Sequence, residues 1–214
     1  MYLCNKNSKI LIMLIDIHVH TKLHSPCSLI DPYSLVKRVK YLPIDGIVIT
    51  EHDYVWNQKE REELRAYCPD VFILFGMELN CKRSLHYLIY YDLSITDINL
   101  YEYMNEEDMY KEVNRCGGVI VAAHMLRYGR RVNVSDVARM QVNGLEVKST
   151  NITDEEMSLT LKFANTLNLC TTAGSDAHQI DDVGRFYTSF DFDINNEADL
   201  VRAIKAKACR AVIL

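Results

Sequence analysis

Short apolar runs alternate with charged, amphipathic stretches along almost the whole chain. The apolar runs predict strands over 11–19, 44–50, 71–79, 85–91, 118–123, 143–149, 169–175 and 186–190. Several, such as IDGIVIT and VFILFGMEL, are continuously apolar, the pattern of strands buried on both faces. Helices are predicted between them. One over 32–42 opens on Asp31-Pro32, a cap followed by a proline at the first helical position. Charged amphipathic segments follow at 57–67 and at 97–116, the latter with an acidic outer face. Thr153 and Glu156 have capping-box spacing ahead of 154–167, and Asn196 caps 197–208. This β-then-α repetition predicts an α/β protein with a largely parallel sheet, open or closed into a barrel.

Composition narrows the class. The chain has 214 residues, 49% of them hydrophobic, with only 8 Gly and 4 Pro, and no linker-like or low-complexity segment divides it. A single domain over 13–214 is expected, preceded by an extension over 1–12, with Met13 as an alternative start. The apolar run from Ile10 to Ile15 is too short for a membrane span or a signal segment, and Asp16 ends it. A net charge of -5 excludes an extended nucleic-acid-coating surface while leaving room for a local basic pocket. The 7 cysteines are odd in number and contain no C-x-x-C pair, which fits reduced thiols in a cytoplasmic protein.

The histidines then change the picture. Of only 7, three (His18, His20 and His24) crowd the end of the first apolar run, in DIHVHTKLH. Residues i and i+2 of a strand share a face, so Asp16, His18 and His20 are predicted to point together, and two imidazoles so placed can grip one metal ion. The same phase recurs. IVIT runs into Glu51-His52-Asp53, FILFGM into Glu78, VIVAA into His124, and CTTAGS into Asp176-Ala177-His178. The C-terminal ends of parallel strands form one rim, where active sites are built. His86 begins its run, but a hairpin turn centred on Lys82 would set it opposite Glu78 and return it to that rim. His24 lies in a loop and suits a further ligand, a substrate contact or a surface residue.

Imidazoles and carboxylates without cysteine suit Zn²⁺, Mn²⁺ or Fe²⁺. Four ligands complete one structural zinc site, so His18, His20, His52, Glu78, His86, His124, Asp176 and His178 imply two or three ions in a shared cleft. Arg127, Arg130 and Arg131 follow His124 in a rim loop, where a guanidinium can clamp phosphate or simply be solvated. Lys148 ends GLEVK and is a candidate carbamylated ligand, the feature of a rival amidohydrolase reading. A third reading is a non-catalytic metal-binding module. No P-loop, dinucleotide-binding glycine fingerprint or G-x-S-x-G elbow is present.

The motifs DIHVHT (16–21), ITEHD (49–53), GMEL (76–79), His86, AAH (122–124) and GSDAH (174–178), in this order, resemble those of the PHP (polymerase and histidinol phosphatase) family of metal-dependent phosphoesterases. The resemblance implies a distorted (β/α)₇ barrel of the TIM-like type and a dinuclear or trinuclear metal cleft. It also implies hydrolysis of a phosphate ester by a hydroxide activated between ions, with Glu78 bridging two of them. The expected substrate is a small phosphorylated molecule or a short oligonucleotide end, with no membrane involved. Two departures stand out. HSPCS replaces the Ser-Asp-Gly-like segment common after the second histidine, removing an acidic ligand for which His24 would substitute. Met125 stands where proline often follows the histidine of AAH. Beside Glu78, a metal-bound water or His24 is the expected acid for the leaving oxygen, and Arg127 the expected phosphate clamp.

Overall fold

The computed structural model describes residues 12–213, so most of the proposed extension lies outside the described residues. A single sheet carries nine strands in the order β7-β6-β5-β4-β3-β2-β1-β8-β9. The strands are β1 (Met13–Val19), β2 (Gly46–His52), β3 (Phe72–Asn80), β4 (His86–Tyr90), β5 (Val119–Ala123), β6 (Gly144–Lys148), β7 (Cys170–Ala173), β8 (Tyr187–Phe190) and β9 (Cys209–Val212). The helices are α1 (Pro32–Val39), α2 (Gln58–Tyr67), α3 (Glu106–Arg115), α4 (Val134–Arg139), α5 (Asp154–Leu167) and α6 (Glu197–Lys205).

The sheet curls into a nearly closed, TIM-like barrel. β1 changes partner along its length: Met13 to Ile15 pair antiparallel with β8, whereas its far end bridges the segment after β7. There, Asp176 N donates to the His18 carbonyl at 2.8 Å and His20 N to the Ala177 carbonyl at 3.2 Å. At the other end β8 and β9 form a wedge between β1 and β7, and Ala211 N reaches Thr171 Oγ1 at 3.3 Å. Seven strands, β1 to β7, thus make the barrel wall, the distorted (β/α)₇ form. The distortion is β4, which runs antiparallel to both β3 and β5. Close approach at the seam requires glycine, because a Cβ on Gly174 would sit 2.5 Å from His18 Cβ.

Apolar side chains of Ile15, Ile17, Val48, Leu74, Leu88, Tyr90 and Val121 fill the barrel below the rim. Leu200, Val201 and Ile204 of α6 join that cluster and close the bottom. Each fully buried aliphatic side chain contributes ~1.5–3 kcal/mol. Outside the wall, α1 and α2 cover β1 to β3, and α3 to α5 cover β3 to β6.

The predicted helix starts are realised as local hydrogen bonding. The Asp31 carboxylate accepts from Ser34 N, Thr153 and Glu156 form the reciprocal capping box, and Asn196 caps α6. The 97–116 segment is helical only from Glu106. Asn105 is the N-cap, and Glu106, Glu107 and Asp108 lie in the first turn, where negative charge favours the helix dipole. Upstream, Asn99 N is taken by the Glu112 side chain at 2.6 Å, which holds the backbone out of the helix. α4 and β9 had no clear sequence pattern, being six and four residues long. Among the described residues, no helix is long and apolar enough to cross a membrane.

Candidate metal centre

The strand ends bring together all eight residues of the expected ligand set. They form three groups, each with donor atoms within 4.8 Å of one another: His20, His52 and His178; His18, Glu78, His124 and Asp176; and His52, Glu78 and His86. Glu78 is the hub. Its Oε1 lies 2.7 Å from His86 Nδ1 and 2.9 Å from His124 Nε2. Its Oε2 lies 3.0 Å from His20 Nε2 and 3.2 Å from both His18 Nε2 and His52 Nδ1. Asp176 Oδ1 approaches the Nε2 atoms of His18 and His20 at 3.4 and 3.3 Å.

The strands set these positions, with two departures from the expected register. β1 carries one extra residue between Asp16 and Val19 relative to β2, a bulge that reverses the side-chain phase. Ile15 and Ile17 therefore line the barrel floor and His18 and His20 its rim. Asp16, expected beside them, instead accepts from Ser175 N at 2.8 Å and Gly184 N at 2.9 Å. It fixes the loop that carries Asp176. Burial lifts its pKa to about 6, against the pull of those hydrogen bonds. In the β3–β4 hairpin, Glu78 pairs with Leu88 and His86 with Asn80, so the turn centres on 83 rather than on Lys82. Glu78 and His86 meet on the diagonal instead of face to face. His124 and Asp176 both adopt positive φ, 26° and 51°, as their strands end. Such backbone is costly for residues other than glycine and concentrates where geometry serves function.

The ring nitrogens facing away from the cluster are tied down. His18 Nδ1 is 2.8 Å from Glu146 Oε1, and Glu146 Oε2 also accepts from His124 N at 3.1 Å. His178 Nδ1 faces the Asp176 carbonyl at 3.0 Å. His20 Nδ1 faces Ser25 Oγ at 3.4 Å. Donation from each Nδ1 leaves Nε2 as a lone-pair donor, the tautomer a metal requires. Ser25 in turn donates to Glu51, whose buried carboxylate also accepts from Thr21 N, Thr21 Oγ1 and Trp56 Nε1. Glu51 thus organises the loop under His20 and His52 rather than adding a ligand. Asn151 Nδ2 holds Asp176 Oδ2 at 2.6 Å.

The donor set fits divalent ions. Glu78 Oε2 is buried and accepts no hydrogen bond, although three imidazoles crowd it. An anionic oxygen left so is costly without a cation. Burial alone would strip the proton from His18, but Glu146, Asp176 and Glu78 outweigh it and hold the pKa well above the ordinary value. His20 and His124 are raised in the same way, against their burial, His20 chiefly by Asp176 and Glu78 and His124 chiefly by Glu78 and Glu146. Burial pushes His52 down to about 4, and lowers His178 too. Glu78 stays ionised well below the usual carboxylate range because His18, His124 and His20 overcome its burial. A site that draws positive charge this strongly suits a metal as well as protons.

The remaining candidates lie at the edge. Arg127 Nη1 is 3.9 Å from Asp176 Oδ2, and its guanidinium lies over the Tyr128 ring. His24 stands outside the three groups: its Nε2 faces Glu60 Oε1 at 3.1 Å and its ring stacks on Tyr54. Arg130 turns to the Ser84 carbonyl. Lys148 donates to Asp154 Oδ1 at 2.7 Å, so its ammonium is engaged away from the cluster. No local pattern in the sequence marks Asn151 or Ser25, and Glu146 is marked only weakly. The available signal for Glu146 was an acid inside the otherwise apolar GLEV.

A family model described as PHP-associated matches residues 156–209. No curated protein matches the chain by sequence. Solved structures share the fold at low identity. A proposed metal-dependent phosphoesterase from Bifidobacterium adolescentis is 20% identical with a TM-score of 0.62, over 77% of this chain and 87% of that one. A two-domain Bacteroides vulgatus protein containing a predicted PHP-like metal-dependent phosphoesterase is 17% identical with a TM-score of 0.71, over 94% of this chain and 65% of that one. The lesion-specific endonuclease EndoQ from Pyrococcus furiosus is 17% identical with a TM-score of 0.68, over 94% of this chain and 58% of that one. The chain therefore spans less than two thirds of the last two proteins. The chain thus shares the barrel of these proteins and, over residues 156–209, the PHP-associated pattern.

Proposed function

We propose that the protein is a metal-dependent phosphoesterase acting on a phosphomonoester or on a nucleotide or short oligonucleotide phosphate. The observation that carries this reading is Glu78, one buried carboxylate within 3.2 Å of five imidazole nitrogens. His18, His124, Asp176 and Glu78 would hold one ion, His52, His86 and Glu78 a second, and His20, His52 and His178 the remaining position. Bound divalent ions supply Lewis acidity, lowering the pKa of a water nucleophile and offsetting charge on phosphoryl oxygens. The ligands keep their donor atoms fixed through Glu146, Ser25 and Asn151, so little reorganisation is needed when charge develops. Arg127, beside Asp176, is placed to donate paired hydrogen bonds to the non-bridging oxygens. His24 is engaged by Glu60 at 3.1 Å, which counts against it as the acid for the leaving oxygen.

The fold alone does not select the bond cleaved, because one barrel hosts many chemistries. The side chains favour phosphate: an arginine stands at the cluster, and Lys148, on which the amidohydrolase reading relied, is paired with Asp154. The test is a panel of aryl phosphates, nucleotides and short oligonucleotides, assayed on the metal-loaded protein and after chelation. Hydrolysis that disappears on chelation and returns with Mn²⁺ or Zn²⁺ is the expected result. A metal-loaded protein inert across the panel would favour the non-catalytic module, and full activity after complete stripping would overturn the mechanism.

A further inference from the structure

A second cavity, of about 500 Å³, lies on the outer face of β4. Successive strand residues face opposite ways, so His86 points to the metal ligands while Leu85 and Tyr87 line this cavity from behind. None of the eight candidate ligands lines it. Its other walls come from α3, α4 and the segment after β5 that also carries Arg127.

Its charges do not all cancel internally. Arg139 is paired with Asp136, and Glu107 with Lys111. Arg130 and Arg131 have no carboxylate partner among the described residues; Arg130 makes one contact, from Nη2 to the Ser84 carbonyl at 2.8 Å. Between these polar groups, Leu85, Val132 and Met140 supply an apolar wall. Two guanidinium groups without a carboxylate partner, beside an apolar wall, describe a ligand with an anionic end and an apolar body. The volume falls within the range of about 300–1,000 Å³ typical of small-molecule sites.

We propose that this cavity binds a nucleotide-sized phosphorylated ligand, with phosphate on Arg130 and Arg131 and its ring against Leu85, Val132 and Met140. The site is separate from the metal centre, and its occupancy does not depend on what the metal centre hydrolyses.

Calorimetric titration of the full chain, metal-loaded, with adenosine 5′-methylenephosphonate tests this, because the analogue resists hydrolysis. Arg131→Ala should weaken one binding event by about tenfold or more, and the double variant Arg130→Ala, Arg131→Ala should lose it. Arg131 is exposed, so its removal leaves the fold intact, and thermal melts of each variant check this. A further binding event that survives in the double variant belongs to the metal centre. If the phosphoesterase reading alone fails, the Arg131-sensitive event remains. No binding at all, or binding unchanged in the double variant, would overturn the proposal.

Discussion

Glu146 Oε1 lies 2.8 Å from His18 Nδ1, and both side chains are fully buried. This carboxylate fixes the orientation of His18 and, through His124 N, also the turn that presents a second ligand. Outer-shell partners of this kind typically change metal affinity by about 10–100-fold when removed. Glu146→Gln keeps an acceptor for His18 but removes the charge. It should weaken binding at the His18–Glu78–His124–Asp176 group by about tenfold, whereas Glu146→Ala should approach a hundredfold. Competition against a chromophoric chelator measures both, and unchanged affinity in Glu146→Ala would return this residue to a purely structural part.

Metal binding should release protons. His18, His20 and His124 hold their protons above the ordinary imidazole range because Glu78, Asp176 and Glu146 outweigh burial. A metal must displace those protons, so affinity rises with pH through the raised values and falls steadily below them. His52 and His178, lowered by burial, are already neutral near pH 7 and add little to the release there. Calorimetry in buffers of different ionisation enthalpy counts the protons. A pH-independent affinity between pH 6 and 8 would contradict this electrostatic picture.

Arg127 separates phosphate clamping from metal holding. Its Nη1 is 3.9 Å from Asp176 Oδ2, too long for a hydrogen bond and so available to a substrate. Arg127→Ala should leave metal stoichiometry unchanged. Loss of a charged hydrogen bond of ~1.5–3 kcal/mol should lower kcat/KM about ten- to a hundredfold. Lysine should restore only part, because it lacks the bidentate fork. Kinetics identical to the parent would shift the clamp elsewhere on the rim.

Gly174 tests the seam of the barrel. Besides its clash with His18 Cβ, an added Cβ would lie 2.8 Å from His18 N. Gly174→Ala must therefore move β7 away from β1, at a cost of about 1–3 kcal/mol. The same shift separates Asp176 from His18 and His20, so metal affinity should fall along with the unfolding midpoint. A variant that loses stability yet binds metal normally would show that the seam and the site are mechanically independent.

Much of this was legible in the chain itself. Continuous apolar runs, the Asp31-Pro32 and Thr153–Glu156 starts, and histidines or carboxylates at strand ends are local signals. Strand and helix periodicity converts them directly into positions on a rim. That conversion brought eight dispersed residues to one cleft. Tertiary structure decided what periodicity does not carry. The bulge in β1 depends on pairing with β2, and it sends Asp16 to the loop amides while keeping His18 and His20 on the rim. The turn after β3 shifts its centre by one residue, which moves Glu78 and His86 onto a diagonal without parting them. Glu146 and Asn151 acquire their roles only through neighbours far away in sequence, since a single strand does not reveal what its buried acid will face. The residue types fixed which chemistry the rim can hold, and the pairing of distant strands fixed which atoms meet there.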